Sequence, residues 1–142
     1  MLMGEYHNNL DVKGRIVIPF KFREELGDKI VLTRGLDGSL FIYSLTTWSS
    51  LTEKLTTLSF TEKDSRNFIR FLLSGAVTLE FDKQGRIVIP NYLKDYAALE
   101  KEVVIVGVLN RVEIWSLSNW NNFMSENFLS LSSISSNLFD SN

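Results

Sequence analysis

The chain has no cysteine among its 142 residues, which removes disulfides, thiol nucleophiles and cysteine-based zinc sites and fits a reducing compartment. Histidine is almost as scarce. His7 stands alone, so no His-x-x-x-His pair or Cys/His cluster exists to hold a metal, and it reads as a structural or surface imidazole. There is no glycine-rich phosphate loop and no Gly-x-Ser-x-Gly elbow, so no catalytic residue, metal or cofactor is expected, and no enzymatic activity. No continuous apolar run approaches the ~18 residues of a membrane span, and Met1 to Asn9 lacks a basic stretch leading into an apolar one. The expectation is a cytosolic protein without a membrane partner or a small-molecule substrate.

Positive charge is missing from one end. All fifteen Lys and Arg lie at or before Arg111, whereas residues 112–142 hold three acidic side chains and no basic one. The net charge of −2 gives the chain no overall basic footprint for nucleic acid. A nucleic-acid reader of this composition has to rely on a few placed cations repeated across an assembly, where effective concentration supplies affinity that one copy lacks.

Proline is present only twice, and each copy closes the same phrase. Asp11-Val12-Lys13-Gly14-Arg15-Ile16-Val17-Ile18-Pro19 returns as Asp82-Lys83-Gln84-Gly85-Arg86-Ile87-Val88-Ile89-Pro90, identical at seven of nine positions. Asp three residues before Gly is a turn signal, because the carboxylate accepts from nearby backbone N–H groups and Gly takes positive φ. Three β-branched residues then favour an extended chain, and Pro suits the first turn of a helix. Each copy predicts turn, short strand, helix start, with Arg15 and Arg86 held where turn and strand meet. One reading makes these arginines solvated strand ends paired to Asp11 and Asp82; the recurrence of the whole phrase favours a functional one. A catalytic pair of Asp11 and Asp82 across the two halves is the enzymatic alternative, but each sits at a turn where Asp has a local backbone role.

The repeat extends beyond the phrase. Gly4 to Leu10 and Gly75 to Phe81 predict the strands leading into it. Phe20 to Leu26, ended by Gly27, and Asn91 to Leu99 predict the helices after it. Ile30 to Thr33 with Leu40 to Tyr43, and Val103 to Val106 with Val112 to Trp115, predict hairpins around Gly35 to Ser39 and Gly107 to Arg111. Trp48 and Trp120 fall in one slot of two amphipathic helices, whose stripes (Trp48, Leu51, Leu55, Leu58; Trp120, Phe123, Met124, Phe128, Leu131) predict core or subunit contact. Phe60 to about Ser74 predicts a linking helix whose Lys63, Arg66 and Arg70 form a solvated side, with a supporting phosphate contact as the lesser alternative. Beyond Leu129 the chain turns Ser-rich and reads as a low-complexity tail, either frayed or docked on a neighbour.

The doubled phrase, its spacing, the Val103–Arg111 run and Glu113-Ile114-Trp115-Ser116 together resemble the MraZ family of bacterial transcriptional regulators over about residues 1–125. A single copy also resembles the AbrB/SpoVT swapped-hairpin module. The resemblance implies an α+β fold: a swapped-hairpin, double-ψ-like β-barrel built from two tandem pseudo-symmetric βαββ repeats of one chain, with flanking α-helices. It divides the chain into repeat 1 (5–50), linking helices (51–75), repeat 2 (76–122) and a C-terminal helix end with Ser-rich tail (123–142). It also implies ring-shaped homo-oligomers that bind double-stranded DNA at promoter direct repeats upstream of a division and cell-wall gene cluster, in the cytoplasm and associated with the nucleoid.

Carried onto these residues, the DNA-binding set is Asp11, Lys13, Gly14, Arg15 and Lys21 from the first copy with Asp82, Lys83, Gly85 and Arg86 from the second. Arg suits base reading because its planar fork can grip guanine O6 and N7 or a phosphate, while Lys acts as a point charge. Gln84 in place of Lys13 leads to the expectation that the first loop contributes more. Two other functions remain open: a structural ring or interaction scaffold, for which the aromatic helices matter most, and an antitoxin-like partner.

Overall fold

A computed structural model describes residues 1–139. The last three residues of the predicted Ser-rich tail lie outside it. The first half runs β1 (Leu2–Asn9), β2 (Arg15–Val17), α1 (Phe20–Leu26), β3 (Lys29–Arg34), β4 (Leu40–Ser44), α2 (Leu45–Leu55) and α3 (Lys63–Ser74). The second repeats the order as β5 (Val77–Glu80), β6 (Arg86–Val88), α4 (Asn91–Tyr96), β7 (Glu102–Leu109), β8 (Arg111–Ser116) and α5 (Leu117–Asn127). A 3-10 turn at Phe128–Ser130 then leads into α6 (Leu131–Phe139).

Local chemistry sets many of these boundaries. Pro19 and Pro90 stand at the head of α1 and α4, and Gly27, at φ +88°, closes α1. Ser44 and Ser116 cap α2 and α5 by accepting from the N–H groups of Thr47 and Asn119 at 3.1 and 3.0 Å. The two tryptophans do share a slot: Trp48 packs on Tyr43 with ring centroids 5.8 Å apart, and Trp120 on Trp115 at 5.4 Å. The described part of the Ser-rich stretch, from Leu131 to Phe139, is helical.

The strands pair mostly across the repeats. One antiparallel sheet has the order β1-β7-β8-β4-β3-β5, so the first strand of each half adds to the hairpin of the other. All eight residues of β1 pair with β7, and β5 pairs with β3. The motif strands β2 and β6 leave this sheet and form their own antiparallel ribbon. The expected closed barrel is therefore not formed by the hydrogen bonding: the six-stranded sheet is open, with β1 and β5 as its edges. Closure fails because each Asp-x-x-Gly turn redirects the chain away from the edge strand, and the motif strand finds its partner in the other copy. Each half is better described as ββαββ than βαββ.

The core is shared in the same way. Ile16 and Ile18 of the first copy and Ile87 and Ile89 of the second are each at most 1% exposed, and they join Phe22, Leu32, Ile42, Leu93, Ile105 and Ile114 in one cluster. Tyr6 meets Phe22 edge-on at 5.2 Å, tying β1 to α1. The long pairing of β1 with β7 depends on Gly107, which lies opposite Gly4. A Cβ on Gly107 would overlap the backbone of Leu2 and Met3, which cannot swing aside as a side chain can. Gly107→Ala is expected to destabilise the protein by about 1–3 kcal/mol, the usual range for forced overpacking, and thermal melting checks it.

Candidate nucleic-acid interface

Each motif loop is built around its aspartate. Asp11 Oδ1 accepts from the backbone N–H groups of Lys13 and Arg15 at 2.9 and 2.8 Å, and its Oδ2 accepts from Arg15 Nε at 2.6 Å. The second copy repeats this set: Asp82 Oδ1 accepts from Gln84 and Arg86 N–H, both at 2.9 Å, and Oδ2 from Arg86 Nε at 2.8 Å. Backbone bonds from Gly14 N to Asp11 O and from Gly85 N to Asp82 O close the turns at 3.0 and 2.9 Å. Gly14 and Gly85 hold φ of +77° and +76°, where a side chain is strained.

The aspartate thus grips each arginine by its Nε edge. Among the described residues, no acceptor hydrogen-bonds the Nη groups of Arg15 or Arg86, so the outer end of each guanidinium is left to donate. The pairing register decides where they lie. Arg15 is opposite Val88, Ile16 opposite Ile87, and Val17 opposite Arg86. Alternation along a strand buries Ile16 and Ile87 on one face and places Arg15, Val17, Arg86 and Val88 together on the other. Two arginines that are 71 residues apart in sequence become diagonal neighbours on one ribbon.

Helices from opposite halves support the loops. Arg23 of α1 lies against Gly85, so a Cβ there would meet its guanidinium, and Lys94 of α4 brings its Nζ to within 3.3 Å of the corresponding point on Gly14. Arg23 is further fixed by an Nε bond to Ile18 O at 2.8 Å. Sequence reasoning passed over these two cations. The signal was available, since Arg23 and Lys94 are also 71 residues apart.

Lys13 and Lys83 are both exposed on their loops. Each loop therefore carries one lysine, at neighbouring positions, because Val12 stands where the second copy has Lys83. The imbalance expected from Gln84 is one of position and not of charge. Lys21 is exposed on α1 and, among the described residues, makes no hydrogen bond or ion pair; its counterpart in the second copy is Tyr92, which donates to Gly75 O at 3.0 Å. His7 is exposed beside Glu5, with Nε2 2.7 Å from its carboxylate. Arg66 donates to Phe60 O at 2.9 Å, a local tie at the start of α3.

The donors converging on Asp11 and Asp82 hold both carboxyls below their ordinary value of 3.8. In each case the backbone N–H of the arginine contributes most, and the guanidinium adds to it. A carboxyl lowered on folding contributes stability that is complete above its unfolded value of about 3.9 and is lost as pH falls through the folded one. Thermal melting between pH 5 and pH 3 is expected to show this loss below about pH 4. In an Asp11→Asn, Asp82→Asn variant the loss should be shallower.

The fold and site define a tandem-repeat α+β protein whose two halves jointly present one arginine-bearing β-ribbon. A family model described as "MraZ protein, putative antitoxin-like" matches residues 1–71 and again 72–142. "Transcriptional regulator MraZ" of Halothermothrix orenii is 58% identical over 124 residues, 87% of each chain. The protein of the same name from Caldanaerobacter subterraneus subsp. tengcongensis is 53% identical over 97% of this chain and 96% of its own. That of Thermoanaerobacter sp. strain X514 is 52% identical over 100% and 99%. The chain belongs to the MraZ family. None of these relatives is named as an enzyme, and among the described residues no helix is long and apolar enough to cross a membrane.

Proposed function

We propose that this protein is a sequence-specific DNA-binding transcriptional regulator that reads DNA with the β2–β6 ribbon. The observation that carries this reading is the shared outer face of Arg15 and Arg86, each locked at Nε and open at Nη. A two-stranded ribbon fits the major groove of B-DNA, and an arginine fork can take guanine O6 and N7 together. Lys13, Lys83, Arg23 and Lys94 surround the ribbon as phosphate contacts that set register without reading sequence. Asp11 and Asp82 act as positioning residues, while Gly14 and Gly85 let the turns form. Lys21 is a peripheral phosphate contact at most. The names of the relatives support the same reading.

The finer reading is that the exchanged strands make the swapped-hairpin unit of this family, with repeats at 5–50 and 76–122. The protein assembles into a ring-shaped homo-oligomer that engages short direct repeats upstream of its own division and cell-wall operon, in the nucleoid. Assembly answers the charge problem: a copy with net charge −2 gains affinity when several ribbons meet several DNA repeats. The "antitoxin-like" wording of the family description favours a second reading, in which the ribbon caps a toxin.

Titration of fluorescent duplexes separates them. With DNA from upstream of the protein's own gene, affinity is expected to fall steeply with rising salt and to exceed that for scrambled DNA by about 10³ or more. Binding that is weak, equal for both duplexes and insensitive to salt would leave the scaffold or toxin-partner reading standing.

A further inference from the structure

Two valines share the outer face of the β2–β6 ribbon with the arginines, and they have no partner there. Val17 is 40% exposed and Val88 53%. An outward position on a strand with one buried face is ordinarily polar. Threonine would extend the chain as well as valine does and keep that surface polar. A lone exposed valine is commonplace, but here both copies of the phrase place one at the same position, between the two guanidinium groups.

The register sets each valine against an arginine of the other copy. Arg15 lies opposite Val88, and Val17 opposite Arg86. Just beyond these pairs, Ile18 N–H donates to Gly85 O at 3.0 Å and Ile89 N–H to Gly14 O at 2.8 Å. Hydrogen-bonded and non-bonded pairs alternate in an antiparallel ladder, so these two bonds leave both Arg–Val pairs at the closely spaced, non-bonded positions. There Cβ atoms stand about 4.5–5.5 Å apart. The backbone under the valines is held in place: Ile16, Ile18, Ile87 and Ile89 are buried beneath it, and Asn8 Nδ2 donates to Val17 O at 2.8 Å. The valine methyls are therefore fixed features of the face that carries Arg15 and Arg86.

The floor of the major groove offers one apolar group for such a face to meet. Of the four bases only thymine presents a methyl there, at C5, and apolar side chains pack on it. Bases follow one another about 3.4 Å apart along a strand, so a side chain about 5 Å from the arginine reaches the neighbouring base pair or the one after it. We propose that Val17 and Val88 are specificity-determining residues that read thymine, each packing on the C5 methyl of a thymine one or two base pairs from the guanine taken by the arginine across the ribbon. Arginine selects guanine by hydrogen bonds, and valine selects thymine by excluding water from its methyl. Each Arg–Val pair thus recognises a two-base element. The proposal rests on the ribbon reading DNA, as set out above.

Uracil lacks only the C5 methyl of thymine, so a base-by-base replacement tests the contact on the unaltered protein. In the duplex from upstream of the protein's own gene, deoxyuridine is expected to weaken binding about fourfold at a few thymines near guanines and to change nothing elsewhere; fourfold corresponds to the ~0.8 kcal/mol of one buried methyl-sized group. Val17→Ser should abolish the uracil effect at one set of positions and Val88→Ser at another. Both variants should keep the response to 7-deazaguanine, which lacks the N7 acceptor used by an arginine fork. Both valines are exposed, so the variants should also melt like the parent. Weaker binding on 7-deazaguanine with no uracil effect at any position overturns the valine role and leaves the arginine reading standing. A uracil effect that survives unchanged in both serine variants overturns it too, because the methyl then acts through DNA shape and not through these side chains. A parent protein that binds its own duplex no better than scrambled DNA removes both readings.

Discussion

Replacing both ribbon arginines, Arg15→Ala with Arg86→Ala, is expected to lower affinity for the specific duplex by about a hundredfold or more and to erase the preference over scrambled DNA. A bidentate contact to a base is worth roughly 1–3 kcal/mol of discrimination, and the loss is multiplied when several copies bind several DNA repeats. The fold should not notice. Arg15 and Arg86 lie on the outer face of the ribbon, opposite the buried Ile16 and Ile87, and each Asp retains its backbone donors when the guanidinium is gone. Surface changes of this kind usually stay within about 0.5 kcal/mol. Because each loop carries one lysine and one supporting cation, the two single variants should weaken binding to similar extents. Paired melting curves and duplex titrations check this. Parent-like melting with an undiminished preference would make the arginines solvated strand ends.

The second large effect is on stability. Ile87→Ala should cost about 2–5 kcal/mol, because Ile87 is 1% exposed and pairs with Ile16 at the centre of the ribbon. For a chain of this size each kcal/mol moves the melting temperature by about 2–4 °C. The shape of the transition is the sharper readout. β2 has its strand partner in the second half, β5 has its partner in the first, and both copies of the motif feed one core. A substitution in the second half must therefore lower the stability of the whole chain in a single calorimetric transition. Two separated transitions, with only one shifted, would mean that the halves fold independently.

These two experiments probe different consequences of the same phrase. Its alternating pattern gives every motif strand a buried isoleucine and an outward arginine, which is why one residue type controls binding and its neighbour controls folding. Gly14 and Gly85 serve both, since the positive φ they hold turns the chain and keeps the Asp carboxylate within reach of the arginine N–H and Nε.

Much of this was legible in the sequence because it is local chemistry. Asp-x-x-Gly makes its turn from hydrogen bonds within five residues, β-branched triplets extend, and Pro starts α1 and α4. All of these repeat at an offset of 71 or 72 residues, so the twofold plan, the motif arginines and the shared tryptophan slot followed from the chain alone. What the sequence could not decide was partnership. Hydrogen-bonding edges of short strands carry no address, so nothing in Arg15-Ile16-Val17 says that its partner is Arg86-Ile87-Val88, or that β1 runs beside β7. Only burying Ile16 against Ile87 in one common core fixes that register, and the register is what brings Arg15 and Arg86 to one face, sets Arg23 over Gly85 and Lys94 over Gly14, and leaves the sheet open where a barrel was expected. The same holds for α6: its Ser-rich composition read as a low-complexity tail, and only the structure shows Leu131–Phe139 as an exposed helix.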